Sequence, residues 1–299
     1  MNNIIIDIGA NHGEFAFEIA KRNPDVRVLA FEPEPHLFAM LKKADLKNVT
    51  PFDVAITSKQ GIADFNVSHI GDWGVSSLLN FNQENIKNDC YWRHRADLKS
   101  FDEKIQVRTD TLENILSKEN FDEESFIKVD TQGFDLIALK SAGRYLKKIQ
   151  AGMIEAVSTP DKSLYAGDEC DLYHALNFFH SNNFKVYRIK PNDHACNEMN
   201  IYFCRTDISA EQIEHDCHLK NLHIYDGKDY WFFPSNKYPT TIVPFSPDIH
   251  EVKQCSPRSH INEEKVKNAS FLSALDRQRC RFLSHITFGK TKDSKGNFI

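Results

Sequence analysis

Asp7-Ile8-Gly9-Ala10-Asn11-His12-Gly13 follows three isoleucines, Ile4 to Ile6, and leads after one helix-length interval to Phe31-Glu32-Pro33. A β-branched run that stops at an acid, enters a glycine-containing turn and continues into a helical pattern begins the first βαβ unit of a doubly wound sheet. Val26 to Phe31 reads as the second strand. Gly9 and Gly13 lack a Cβ, so the backbone can turn sharply and approach a ligand, and the helix after them offers unpaired N–H groups at its start.

The spacing separates candidate ligands. A dinucleotide turn reads G-x-G-x-x-G, with glycines placed for a pyrophosphate; this one reads Asp7-x-Gly9-x-x-x-Gly13. Its carboxylate repels a pyrophosphate and attracts an ammonium group. S-adenosylmethionine has both an ammonium and a sulfonium. Glu32 ends the second strand, where an acid accepts the hydroxyls of an adenosine ribose. The plain alternative, a tight turn beside a solvated strand end, leaves both acids unexplained.

Working outward, Phe15, Ala16, Ile19 and Ala20 have helical spacing up to Asn23-Pro24-Asp25. Leu37, Phe38 and Leu41 form the next stripe. Val49 to Ile56 reads as the third strand with Asp53 near its end, and Gly61 to Val67 alternates as an added strand. Residues 68 to 103 are too long for a plain connection and are expected to cover a site. They carry Trp73, Ser76-Ser77 and the run Tyr91-Trp92-Arg93-His94-Arg95. Ile105 to Arg108 resumes as strand, and Asp110-x-x-Glu113 reads as a capping box. Phe126 to Asp130 and Met153 to Val157 are further strands with Asp130 and Glu155 at or near their ends. A helix over 168 to 181 is expected to be capped by Asp168. Lys185 to Ile189 and Met199 to Phe203 read as an antiparallel hairpin closing the sheet.

From Thr206 the alternation of strand and helix is lost, so residues 1–205 are read as one α/β domain and 206–299 as an appendage. Its aromatic run Tyr230 to Phe233 suggests a homo-oligomer interface, and Glu263 to Phe282 is a helical candidate. His215, Cys217, His218 and His223 lack a zinc-ligand spacing, and no metal site is assigned.

The 299 residues are 41% apolar and 26% charged, ordinary for a soluble globular protein. No apolar run is long enough for a membrane span, and the first residues do not read as a signal peptide. Seven cysteines in unpaired spacing fit a reducing compartment, so the cytoplasm is expected. A net charge of −5 gives no general attraction to nucleic acid, which is not expected as a partner.

Taken together, Asp7 to Gly13, Phe31-Glu32-Pro33, Ile127-Lys128-Val129-Asp130-Thr131-Gln132-Gly133-Phe134-Asp135 and Ile154-Glu155 resemble the FkbM-type methyltransferases over residues 4 to 205. The resemblance implies a seven-stranded, mostly parallel class I methyltransferase sheet of Rossmann-like form, S-adenosylmethionine as cofactor, and O-methylation of a hydroxyl on a sugar, glycan precursor or similar metabolite. It implies that Asp7, Gly9, Asn11 and Gly13 surround the methionine end, Glu32 the ribose and Asp53 the adenine, with Asp130 and Glu155 facing the transfer site. Thr131, Gln132 and Asp135 depart from the family pattern, which has an aliphatic residue and two glutamates there.

A hydroxyl must lose its proton during attack, so a base is expected within hydrogen-bond reach. Asp130 is the first candidate, Glu155 the second and His12 the third. In plainer readings Asp130 caps the next helix and Glu155 pairs with Lys128. A divalent metal on Asp130 and Glu155 is an alternative the spacing does not favour. Trp92, Arg93 and Arg95 are candidates for stacking on a sugar and pairing with an anionic substituent; a surface cluster with a buried Trp is the alternative. Competing functions are a cofactor-binding module without catalysis and a methyltransferase acting on nucleic acid or an amine.

Overall fold

The computed structural model describes residues 3–69, 72–119, 121–193 and 195–226. Ten strands and eight α-helices lie within them: β1 (Asn3–Ile8), α1 (Glu14–Arg22), β2 (Arg27–Phe31), α2 (Pro35–Lys43), β3 (Val49–Phe52), β4 (Ala55–Ile56), β5 (Gly61–Val67), α3 (Gln83–Asn88), β6 (Glu103–Asp110), α4 (Leu112–Lys118), β7 (Glu124–Val129), α5 (Asp135–Lys140), β8 (Ile149–Val157), α6 (Leu172–Ser181), β9 (Phe184–Pro191), β10 (Glu198–Arg205), α7 (Ala210–Asp216) and α8 (His223–Asp226).

Seven strands form one sheet in the order β3-β2-β1-β7-β8-β10-β9. It is parallel from β3 to β8, and β10 runs antiparallel to both β8 and β9. The chain builds outward from β1 to β3, then crosses back to lay β7 on the other side of β1. That reversal opens a crevice at the carboxyl ends of β1 and β7, where an open α/β sheet binds its ligand.

Strand periodicity sorts the isoleucines of β1 to two faces. Ile4, Ile6 and Ile8 join Leu29, Ile127 and Ile154 in one core with residues of α4, α5 and α6. Ile5 joins Val28, Phe126 and Met153 in a second core under α1. Each fully buried Ile contributes about 1.5–3 kcal/mol relative to an exposed one. Asp7 shares the face of Ile5 and is therefore drawn beneath α1.

Several boundaries differ from the sequence reading. Val49 to Ile56 is two strands: β3 stays in the main sheet, while β4 turns away to pair with β6 in a small sheet of order β4-β6-β5. The cap of α4 is Thr111, whose hydroxyl accepts from Asn114 N at 3.1 Å; Asp110 accepts from Thr111 N instead. The cap of α6 is Asp171, accepting from His174 N at 2.8 Å. Asp168 binds Ser163 Oγ and Cys170 N.

Residues 210–226 also belong to the body that begins at β1. Cys217, Leu219, Leu222 and Tyr225 are buried in the core under α1. The Arg22 guanidinium donates to the carbonyls of His218, Lys220 and Asn221, and Asn23 Nδ2 to that of Cys217. Tyr230 to Phe233 and the helical candidate Glu263 to Phe282 lie outside the described residues. Among the described residues no helix is long and apolar enough to cross a membrane.

Candidate active site

The turn after β1 is fixed by its backbone. Gly9 N and Ala10 N both donate to Phe31 O, at 3.1 and 2.9 Å, which ties the turn to the end of β2. Gly9 has φ +75°, and a Cβ there would stand 1.8 Å from Asp130 O, so only glycine lets the turn lie against the strand that carries Asp130. Gly13 has φ +81°, and a Cβ there would meet Phe17 and Leu41.

Glu32 closes the other side of the turn. Its Oε2 accepts from Asn11 N at 2.7 Å and its Oε1 from Glu34 N at 2.9 Å. Burial pushes this carboxyl up to about 7. A carboxylate has about four lone-pair sites, so acceptor capacity remains for ribose hydroxyls. Asn11 Oδ1 is shielded from solvent and has no hydrogen-bond partner among the described residues. Asp53 is exposed just past β3 and pairs with Arg108 at 2.9 Å.

Asp7 is enclosed by protein. It is fully buried, and register pairing of β1 with β7 sets it beside Lys128, whose Nζ lies 3.2 Å from Asp7 Oδ1. The same ammonium donates to Gly9 O at 2.8 Å and stands 3.6 Å from Asp130 Oδ2. Burial pushes Asp7 up and Lys128 draws it back; burial alone would lower Lys128, but the charges of Asp7 and Asp130 hold it well above the ordinary lysine value. Lys128 is thus a buried cation that fastens the glycine turn to Asp130. Its carboxylate partners are Asp7 and Asp130, not Glu155.

Parallel pairing of Val129 with Ile154 brings Asp130 and Glu155 side by side at the carboxyl end of the sheet. Gln132 joins them: its Nε2 donates to Asp130 Oδ1 at 2.7 Å and to Glu155 Oε2 at 3.0 Å. Its Oε1 accepts from Tyr165 OH at 2.9 Å, and its carbonyl accepts from Ser77 Oγ at 2.7 Å. Asn192 donates to the other oxygen of Glu155. Asp130 does not cap α5, whose N-cap is Phe134; Asp135 takes the Thr131 N–H instead.

Exposure separates the two acids. The Asp130 side chain is 39% exposed, whereas Glu155 is buried with both oxygens occupied. Burial, then the charges of Glu198, Asp130 and Asp135, push Glu155 well above the carboxylate range. Burial likewise raises Glu198 to about 8 and Asp135 to about 7. Burial thus favours the protonated form of Glu155, and of Asp130 and Glu155 it is Asp130 that a hydroxyl can approach.

From the 68–103 interval, Ser77 reaches this end of the sheet through its bond to the Gln132 carbonyl. Val75, Phe81, Ile86, Trp92 and Leu98 form a small core with Leu164 and Tyr165, and Val75 O lies 2.9 Å from Tyr165 OH, so the single phenol proton is shared between that carbonyl and Gln132 Oε1. Trp92 offers no face to a sugar: it is 1% exposed, and its indole N–H donates to Lys162 O at 2.9 Å. Arg95 is taken up by Asp97 and by Asp72 at 3.5 Å, while Arg93 is exposed and donates to His94. His12 is exposed on the glycine turn with its ring 5.7 Å from that of Trp73.

A model of the FkbM methyltransferase domain matches residues 7–186, from the acid of the turn into β9. The chain is 27% identical over 171 residues to the 2-O-methyltransferase NoeI of Sinorhizobium fredii (strain NBRC 101917 / NGR234). That match covers 55% of this chain and 66% of the length of the relative. Solved structures similar to it include a precorrin-6y C5,15-methyltransferase from Geobacter metallireducens GS-15, 15% identical over 68% of this chain and 80% of that one, with a TM-score of 0.34. Aeropyrum pernix fibrillarin with natively bound S-adenosyl-L-methionine is 10% identical over 68% of this chain and 66% of that one, with a TM-score of 0.36. The matched domain contains the glycine turn, Glu32, Asp130, Gln132 and Glu155, and the chain is a methyltransferase that belongs to the FkbM family.

Proposed function

We propose that this methyltransferase uses S-adenosylmethionine to methylate a hydroxyl of a sugar, glycan precursor or similar metabolite, with Asp130 as general base. The observation that carries the reading is the accessible Asp130 carboxylate, held by Gln132 and Lys128 at the mouth of the sheet crevice. The similarity to a 2-O-methyltransferase supports a hydroxyl acceptor.

The cofactor, when bound, supplies an electrophilic methyl group on a sulfonium. The chain's residues suit it. Asn11 Oδ1, shielded and unpartnered among the described residues, would accept from its ammonium. Glu32 would accept from its ribose, and Asp53 would stand near its adenine. Gly9 and Gly13 would let the backbone lie against it. Asp7 would act through space only, by holding Lys128.

At the acceptor, the protein has to orient a hydroxyl and remove its proton, since methyl transfer is an in-line displacement that rewards positioning. Asp130 would take that proton. Gln132 fixes the direction of Asp130, while Glu155 and Tyr165 fix Gln132, so the base keeps one geometry as the proton moves. Glu155, favouring its neutral form, would avoid placing a second negative charge beside the base. Calorimetry with S-adenosylmethionine tests the first step. One-site binding is expected; binding of NAD in its place would overturn the reading.

A further inference from the structure

A separate set of side chains converges where α2 begins. Glu34 caps that helix, its Oε2 accepting from Leu37 N at 2.7 Å. The cap leaves Oε1 turned toward His36, whose Nδ1 lies 2.8 Å away. His69 enters from the segment after β5, and its backbone is pinned by a 2.6 Å hydrogen bond from His69 N to Asp102 Oδ2.

The His69 ring lies 4.6 Å from the Trp73 ring, with Nε2 3.9 Å from Glu34 Oε1 and Nδ1 4.0 Å from Glu103 Oε2. Nε2 is shielded from solvent and makes no hydrogen bond among the described residues. An ion pair between Glu34 and His36 explains His36 but leaves this nitrogen unexplained.

One ligand atom from each of Glu34, His36 and His69 lies within 4.8 Å of the other two. Around a tetrahedral zinc with bonds of about 2.1 Å, ligand atoms stand about 3.4 Å apart. The observed spacings of 2.8 and 3.9 Å bracket that value. Two imidazoles and one carboxylate suit zinc or a neighbouring first-row dication. Outer partners stand where such a site needs them: Leu37 N–H on the second oxygen of Glu34, and the Glu103 carboxylate facing the far nitrogen of His69. The His36 side chain is 75% exposed, which leaves an entry path.

We propose that Glu34, His36 and His69 form a transition-metal site of the zinc type, with three protein ligands and at least one position open to solvent. Such a site joins the start of α2 to the segment that carries Trp73 and Ser77. Ser77 holds the Gln132 carbonyl and Trp73 packs on His12, so the metal would clamp the cover beside the glycine turn.

The test is cobalt(II) titration of the untagged full chain after chelation, followed by displacement with zinc. One equivalent of cobalt should give visible d–d bands without a thiolate charge-transfer band. His36→Ala and His69→Ala should each weaken binding at least about tenfold, and His174→Ala, an exposed histidine paired with Asp171, should not. His36 is exposed enough that its loss leaves folding intact, as circular dichroism would verify. No cobalt or zinc binding, a thiolate band, or unchanged affinity in His36→Ala overturns the proposal.

Discussion

Gln132 Nε2 donates to Asp130 Oδ1 at 2.7 Å from a backbone held at φ +55°, a conformation that a side chain other than glycine rarely adopts. The same amide reaches Glu155, and its oxygen takes the Tyr165 hydroxyl. Replacing it by Ala strips a donor from a buried carboxyl and one of two acceptors from a buried phenol. Gln132→Ala should lose about 1–3 kcal/mol of stability and lower kcat about 10–100-fold, with cofactor affinity within about threefold. Denaturation and single-substrate kinetics check the pair of effects; unchanged kcat would show that Asp130 needs no such support.

Asp130→Asn keeps the shape and removes the proton acceptor. kcat should fall about 10²–10⁴-fold, the usual contribution of a general base. Calorimetric affinity for S-adenosylmethionine should stay close to wild type, because Lys128 keeps Asp7 and the Gly9 carbonyl as partners and Asp130 N still donates to Ile8 O.

Gly9→Ala should be severe for a different reason. The added Cβ meets the Asp130 carbonyl at 1.8 Å and carries φ +75°, so both turn and strand must shift. A loss of about 2–4 kcal/mol is expected, with cofactor binding lost even under conditions where the protein is folded. Chemical denaturation alongside calorimetry separates the two effects.

The buried acids set an unusual pH response. Glu32 and Asp135 are raised to about 7 and Glu198 to about 8, each chiefly by burial. Above their ordinary values, near 4, the folded state holds protons that the unfolded chain has released. Their favourable contribution is therefore complete below about 4 and is lost as pH rises through 7 to 8. Thermal unfolding should show a lower Tm at pH 8 than at pH 5.5, and Glu198→Gln should flatten that slope.

Much of this was legible in the order of strands and their terminal acids, because a βαβ unit writes itself as an apolar run, an acid and a glycine turn. The position of Asp7 was also written there: it shares the two-residue period of Ile5, which puts it on the face of β1 that packs under α1. Trp92 was harder, since a basic-aromatic run looks alike whether its ring is buried or exposed. Tyr165 and Asn192 lie on irregular segments after β8 and β9 and reach Gln132 and Glu155 only through tertiary contact. Gln132 lacks the charge of the family pattern, yet its amide donates to two carboxyls at once, which a glutamate cannot do. Residues 206–226 carry too short a helical pattern to announce that they complete the core under α1.

The most direct measurement follows labelled methyl from S-adenosylmethionine into a panel of hydroxyl-bearing saccharides, using wild type and Asp130→Asn side by side. Wild type should place label in an alkali-stable ether on a sugar, and the variant at least about a hundredfold less. Label appearing only on an amine or a nucleic acid, or equal transfer by both proteins, would contradict the proposed reaction.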